Sequence, residues 1–461
     1  MGTNVTVIGS GYVGTVVAAC FADLGNRVVA VEVDKRKLQS LKQGQAPFYE
    51  PGLNDLVASG LDSGRLSFTD SLRSALRESD IVFLCVGTPP DANGLPDTTA
   101  LETAARQIGK SLQRHQVLIT KSTVPIGSGK WLAAIVEESL KESLRGTGAF
   151  SLVANPEFLR EGTAISDFMH PDRIVIGSDD ARAAEAVTEL HGPILDQSFD
   201  GGDPHSRPVL IRTTLTTAET VKYAANAFLA TRLSFINEIA RICESMGADV
   251  VEVANAMGLD PRIGSRYLQA GAGWGGSCLG KDIDALVATA RESGYRPELL
   301  EAVITVNRRQ RDLIVHKLEH DLESLEGKRI GLLGLAFKAG TNDLRDAPAL
   351  DVAKQIIDRG GTVIAHDPIV DQVREIPQLQ MSDSPYEVAE GADAIVLMTE
   401  WPEFLAIDLV RVQAKMKDNL FIDGRNFLDP AAAIAAGLRY EDVGRSPKTP
   451  TKNQKALSLA S

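Results

Sequence analysis

The chain has 461 residues, 44% of them hydrophobic and 24% charged, the composition of a globular protein too long for one ordinary core. Its net charge of −13 comes without any lysine- or arginine-rich block, so neither nucleic acid nor a membrane is an expected partner. Nor is there a signal-peptide pattern, a bilayer-length apolar run, a disulfide framework or a metal-ligand spacing among Cys20, Cys85, Cys243 and Cys278, so a cytoplasmic, metal-free protein is expected.

In chain order, β-rich apolar runs occur at 5–8, 28–33, 81–86, 117–120, 152–154 and 174–176, with helical patterns between them. This alternation predicts βαβ units on a parallel sheet. From about Thr216 to Met246 there is neither Gly nor Pro, and apolar residues cover most of the circumference. A buried helix that joins domains is expected there. Further helices are predicted over 250–257, 281–292 and 297–325. At Lys328 the βα alternation resumes, with strands expected at 330–335, 362–365, 394–399 and 420–423. The predicted fold is α/β, with two doubly wound Rossmann-like domains joined by a long central helix. The expected boundaries are 1–212 for the first domain, 213–325 for the helical linker and 326–445 for the second domain. The polar tail 446–461 is expected to be disordered.

Gly9-Ser10-Gly11-Tyr12-Val13-Gly14 fits GxGxxG between a predicted strand and a predicted helix. Glu32 follows Gly14 by 18 residues, at the end of the next strand. In this context the glycines read as a dinucleotide turn, and the acid as an acceptor for ribose hydroxyls that favours NAD over NADP. Asp34 competes for that role, and Lys37 lies nearby. The second domain has only Gly334-Leu335-Ala336-Phe337-Lys338 at the matching place, which is not a dinucleotide fingerprint. A second unusual stretch, Gly273 to Asp282 (GWGGSCLGKD), puts a cysteine among four glycines, where a structural cysteine is not expected.

Further motifs follow in order: CVGTP at 85–89, STVP at 122–125, NPEFLREG at 155–162, KYAAN at 222–226, GGSC at 275–278 before Lys281-Asp282, and GLAFK at 334–338 with Asp343 and Arg345. Together they resemble the UDP-glucose/GDP-mannose dehydrogenase family of nucleotide-sugar dehydrogenases, from GSGYVG to DGRNFLD. Only the tail falls outside the resemblance.

The resemblance implies a four-electron oxidation of UDP-glucose to UDP-glucuronate with two NAD⁺ and one water, in a homodimer that pairs through the central helix. Cys278 is then the nucleophile, forming a thiohemiacetal and then a thioester. Lys222 and Asn226 stabilise the oxyanion at C6. Glu157 handles protons and thioester hydrolysis, and Thr123 and Asp282 hold the hydrolytic water. The implied NAD site comprises Gly9, Gly11, Tyr12, Val13, Gly14, Glu32, Lys37, Val86, Thr88, Pro89, Ser122, Thr123, Glu161 and Arg345. The implied sugar-nucleotide site comprises Glu157, Phe158, Leu159, Arg160, Glu161, Lys222, Asn226, Arg262, Tyr267, Gly275, Phe337, Lys338 and Arg425. Gln269 stands where some members carry a lysine.

Each role has a plainer alternative. Lys222 has the alternative of a solvated lysine, which its largely apolar helix disfavours; Glu157 and Glu161 have that of acids at an exposed helix start, and Asp282 that of a helix cap. GDP-mannose or a UDP-N-acetylhexosamine is the alternative substrate. Ser277, where the N-acetyl-sugar branch tends to carry histidine, argues against the second of these. A catalytically silent NAD-binding sensor would have lost the thiol or the Lys-Asn pair, and both are present.

Overall fold

The computed structural model describes residues 2–89, 91, 96–146 and 148–445; the tail 446–461 lies outside them. The chain divides into two compact units. The first takes Met1–Ala225 and Asp284–Tyr295, and the second takes Asn226–Ile283 and the described chain from Arg296 onward.

The first unit is built on eight strands: β1 (Asn4–Ile8), β2 (Arg27–Val31), β3 (Leu66–Thr69), β4 (Ile81–Leu84), β5 (Gln116–Thr120), β6 (Phe150–Ala154), β7 (Arg173–Gly177) and β8 (Val209–Thr213). They form one sheet in the order β3-β2-β1-β4-β5-β6-β7-β8. All pairs are parallel except β6 with β7, which meet antiparallel at Ala154 and Gly177. The central strands are buried on both faces, as a sheet covered by helices on either side requires. Period-two alternation sorts their side chains into two cores. Val7, Phe83 and Ile119 point into one, while Ile8, Val82, Leu84 and Leu118 point into the other.

The second unit repeats the plan with β9 (Arg329–Leu333), β10 (Thr362–His366), β11 (Gln380–Met381), β12 (Ala394–Leu397), β13 (Leu420–Asp423) and β14 (Arg439–Glu441). The order β11-β10-β9-β12-β13-β14 matches that of β3-β2-β1-β4-β5-β6. In both sheets the order reverses beside the first strand, so each has a switch point where ligands are received at the strand C-termini.

The units are joined by the long helix Leu215–Met246, of 32 residues and roughly 48 Å at 1.5 Å per residue. Thr214 Oγ1 accepts the Thr217 N–H at its start. At its end Gly247 takes φ +81° and, with Ala248, closes backbone bonds onto the Cys243 carbonyl, a left-handed glycine stop. Within one chain the helix is not buried all round. Phe228, Phe235, Ile242 and Met246 are 62%, 45%, 50% and 77% exposed. The sequence reading also missed β3, β8, β11 and β14. β8 is an edge strand with no buried residue, so it carries no core-facing periodicity.

Candidate active site

The fingerprint lies at the switch point of the first sheet. Gly9 takes φ +92°, and a Cβ there would stand 2.9 Å from the Cys85 carbonyl oxygen. A Cβ on Gly14 would stand 1.9 Å from the Gly9 carbonyl oxygen, whereas one on Gly11 would meet nothing within 4 Å. One glycine makes the turn, one seats the helix Tyr12–Asp23 against it, and one leaves space above the backbone. No side chain caps that helix, so its first N–H groups face an open cradle suited to a pyrophosphate. Glu32 lies just past β2 and its Oε1 accepts the Asp34 N–H at 2.8 Å. Asp34 itself caps the helix Lys35–Lys42, accepting from the N–H groups of Arg36 and Lys37. Asp34 is thus engaged as a helix cap; the Lys37 side chain is exposed. The exits of β4 and β5 are tied together by Ser122 Oγ donating to the Val86 carbonyl at 2.6 Å and Thr88 Oγ1 to the Thr123 carbonyl at 2.8 Å. Pro89 is exposed at the end of this run. Open glycine, uncapped helix and carboxylate together fit a bound dinucleotide.

Glu157 and Lys222 are drawn together in the same unit. Glu157 Oε1 and Lys222 Nζ are 2.7 Å apart, with side chains 6% and 5% exposed. Both the solvated-lysine and the exposed-acid alternatives for this pair fail on burial. The other Glu157 oxygen accepts the Leu159 N–H at 2.6 Å, which fixes the carboxylate. Phe158 packs beside the pair, with the Arg173 guanidinium 3.9 Å and Lys222 Nζ 5.7 Å from its ring centre. Arg160 forks onto Asp167. A small cavity is lined by Ser122, Thr123, Pro156, Glu219, Lys222 and Tyr223, so Thr123 and Lys222 share a space. Glu161 follows on the same loop, half-buried.

Cys278 belongs to the second unit and is the one exposed cysteine of the four. Its carbonyl accepts the Asp282 N–H, so it occupies the cap position of the helix Leu279–Glu292, beside a helix N-terminus that favours negative charge. Asp282 is fully buried. It accepts from Asn226 Nδ2 at 2.6 Å and pairs with Lys281 Nζ at 2.6 Å. Its side chain therefore serves these two groups.

The glycines before Cys278 are buried rather than loose. A Cβ on Gly275 would stand 2.1 Å from the Asp346 carbonyl oxygen, and one on Gly276 2.7 Å from the Phe337 ring. Asn307 grips Trp274 through both backbone groups, at 2.8 and 2.9 Å. Arg311 donates to the Trp274 carbonyl at 2.9 Å and pairs with Asp346 and Asp351. The backbone is narrow because the protein itself crowds it.

The remaining nucleotide-site candidates also lie in the second unit. Arg425 donates to the carbonyls of Met398 and Phe337 at 2.7 and 2.9 Å. Lys338 Nζ lies 5.8 Å from the Phe337 ring centre. Arg345 forks onto Asp343 and Arg262 onto Asp260, each at 2.6 Å. Tyr267 takes the strained φ of +61°. Gln269 Nε2 donates to the Ser265 carbonyl. At the end of β10, Asp367 accepts the N–H groups of Leu335 and Ala336. The two backbone donors that follow Gly334 are thus already satisfied by a carboxylate.

Some residues were not flagged by the sequence. Lys121 is buried and donates to Asn155 Oδ1 at 2.8 Å; burial pulls its pKa down to about 8, against the opposing charges of Cys85 and Glu157. Glu219 accepts the N–H groups of Gly127 and Gly129 at the start of the helix Ser128–Ser139. Glu50, Asn307 and Arg311 complete the set. Each of these partnerships spans more than 30 positions and leaves no local pattern. Cys20, Cys85 and Cys243 are buried, and burial raises all three thiol pKa values, that of Cys85 to about 12.

Two doubly wound sheets with one dinucleotide cradle define a nucleotide-dependent oxidoreductase. Sequence profiles of the UDP-glucose/GDP-mannose dehydrogenase family match the chain three times: the NAD binding domain over residues 3–195, the central domain over 216–309 and the UDP binding domain over 331–430. The chain belongs to this family and is an NAD-dependent oxidoreductase of its class. It is 46% identical over 445 residues to the UDP-glucose 6-dehydrogenase TuaD of Bacillus subtilis, covering 96% of this chain and 93% of that one. With a UDP-glucose 6-dehydrogenase of Rhizobium meliloti it shares 44% identity over 449 residues, covering 96% and 99%. The solved structure of a UDP-glucose dehydrogenase from Pyrobaculum islandicum superimposes with a TM-score of 0.87 at 35% identity, covering 97% and 98%. No helix among the described residues is long and apolar enough to cross a membrane.

Proposed function

We propose that this chain oxidises UDP-glucose to UDP-glucuronate through a covalent intermediate on Cys278. The observation that carries the reading is the one exposed thiol, held at a helix N-terminus by a crowded glycine loop. The substrate is inferred from relatives of 40–46% identity that are UDP-glucose 6-dehydrogenases. In this reading residues 1–212 hold NAD, 213–325 link and dimerise, and 326–445 hold the UDP half. Free thiols suit a reducing cytoplasm.

NAD⁺, held at the Gly9–Gly14 turn, would supply the hydride acceptor for both oxidations. In the first oxidation C6 loses a hydride and its hydroxyl a proton, leaving an aldehyde. The Cys278 sulfur adds to the aldehyde carbon, which becomes tetrahedral, and the C6 oxygen takes up the electron pair. Lys222 and Asn226, one turn apart on the long helix, stabilise that oxygen. Asn226 gives one amide N–H to Asp282 and has a second for the substrate. When the second hydride leaves, the C=O bond re-forms as a thioester. Water, held by Thr123 and Asp282, attacks that carbon while Glu157 takes its proton. The sulfur leaves with a proton, and the carboxylate is released. Arginine side chains such as Arg262 and Arg425 suit the substrate phosphates.

We further infer a homodimer. Phe228, Phe235 and Ile242 recur every seven residues along the exposed side of the long helix, and Met246 continues the stripe, as a paired-helix seam does. The test of the catalytic reading is NADH formation with UDP-glucose, GDP-mannose and UDP-N-acetylglucosamine. Two NADH per UDP-glucose, and no acid from a Cys278→Ser variant, are expected. One NADH per sugar, or acid released by the serine variant, would overturn it.

A further inference from the structure

Glu50 lies outside every motif that points to the active site, in the turn Phe48-Tyr49-Glu50-Pro51-Gly52, yet it is only 6% exposed. Three donors converge on its carboxylate. Oε2 accepts the Tyr12 hydroxyl and the Gly162 N–H at 2.6 Å, and Oε1 accepts the Ala164 N–H at 2.7 Å. The Gly162 N–H also lies 3.0 Å from the Tyr12 oxygen, which closes a triangle. Tyr12 is the first residue of the fingerprint helix. Gly162 ends NPEFLREG, the loop of Glu157 and Glu161, and turns it at φ +83°. The Tyr12 ring packs 4.7 Å from that of Phe48, which holds the phenol in place. Burial, and then acceptance by Glu50, raise the Tyr12 pKa, so its hydroxyl stays protonated and committed to that carboxylate.

We propose that Glu50 is a positioning residue that sets the Glu157–Glu161 loop from the cofactor side, by fastening its backbone to the first turn of the dinucleotide helix. The inference rests on the reaction proposed above. Chemistry makes the carboxylate specific. It offers acceptor oxygens on both sides to three donors, whereas a glutamine of the same shape turns an N–H₂ group toward one of them. Aspartate keeps the charge but is one methylene too short to reach both backbone sites.

The full-length chain tests this. Glu50→Gln is expected to bind NADH within about threefold of the parent while kcat with UDP-glucose falls at least about tenfold. Tyr12→Phe removes one donor and is expected to cost about threefold in kcat. The double variant should be no slower than Glu50→Gln alone, because both act in one unit. In hydrogen–deuterium exchange, NADH should protect the peptide over 157–168 in the parent and not in Glu50→Gln, a readout that needs no turnover. Parent-like protection and kcat in Glu50→Gln, multiplying losses in the double variant, or equal losses of NADH affinity and kcat would overturn the proposal. If Glu50→Gln does not fold, Tyr12→Phe decides alone, and parent-like kcat and protection there would refute it. A parent chain that makes no NADH from UDP-glucose would sink the substrate reading, while the exchange experiment would still judge Glu50.

Discussion

In the proposed reaction a single contact, that of Lys222 with Glu157, carries both stability and chemistry. Removing one partner of a buried ion pair leaves an uncompensated charge, at a cost of about 3–5 kcal/mol. Lys222→Met should therefore lower the denaturant midpoint strongly as well as abolish turnover. Adding Glu157→Gln removes the orphaned charge, so the double variant should regain most of the stability and none of the activity. If stability stayed low in the double variant, the pair would not be the source of the cost. His191 makes a pH-dependent contribution at the same scale. It is fully buried, its Nδ1 lies 2.8 Å from the Val187 carbonyl, and its ring sits edge-on to Phe21. Burial first, and then the charge of Lys121, lower its pKa to about 3 from an ordinary 6.5. Between those values the unfolded chain binds a proton that the folded chain refuses, so stability rises with pH across the window and falls in acid. The penalty is roughly 2 kcal/mol at pH 5. His191→Gln has no such proton, so its unfolding free energy should fall less between pH 7 and pH 5. Equal acid losses in the two proteins would show that His191 is not the titrating group.

At the scale of elements, the loop before Cys278 is positioned by contacts rather than by its own stiffness. Gly275 faces the Asp346 carbonyl oxygen, where a Cβ would stand 2.1 Å away, and backbone cannot yield as a side-chain tip can. Gly280 lies close by, but a Cβ there would meet only side-chain atoms, the Asp346 carboxylate at 3.2 Å and the Trp274 ring at 3.6 Å. Gly275→Ala should therefore cost about 1–3 kcal/mol and displace the thiol, with kcat falling at least tenfold. Gly280→Ala should stay within about threefold of the parent. Similar kinetics for the two variants would show that the crowding has no part in placing Cys278. The glycine run itself was legible in the sequence, and so were the fingerprint, Glu32 and the βα alternation, because each is a local pattern. The partners that make the glycines necessary were not. Asn307 and Arg311 meet Trp274 from 33 and 37 positions away, and nothing around them in the sequence marks the contact. Apolar residues around the long helix suggest burial all round, in a core or against a second chain, and composition cannot separate the two.

At the scale of the whole molecule, that exposed face is the basis of the proposed dimer. Phe228, Phe235 and Ile242 share one side of a helix of 32 residues, and three large apolar side chains in one line are more than an isolated surface needs. Phe235→Asp places a charge in the middle of the stripe and should convert a dimer of about twice 49.4 kDa into a monomer in sedimentation at micromolar concentration. The same substitution on a chain that is already monomeric would leave the mass unchanged and reject the seam. Dimerisation does not require shared catalysis. Cys278, Lys222, Asn226 and Glu157 all occur in one chain, and the reaction proposed for them needs no residue from a second copy. Mixing Cys278→Ser with Lys222→Ala should therefore restore no activity, even after subunits have been exchanged by dilution and reconcentration. Recovery toward a quarter of the parent rate, the share expected if random mixed dimers each held one intact site, would show that the nucleophile and the lysine come from different subunits.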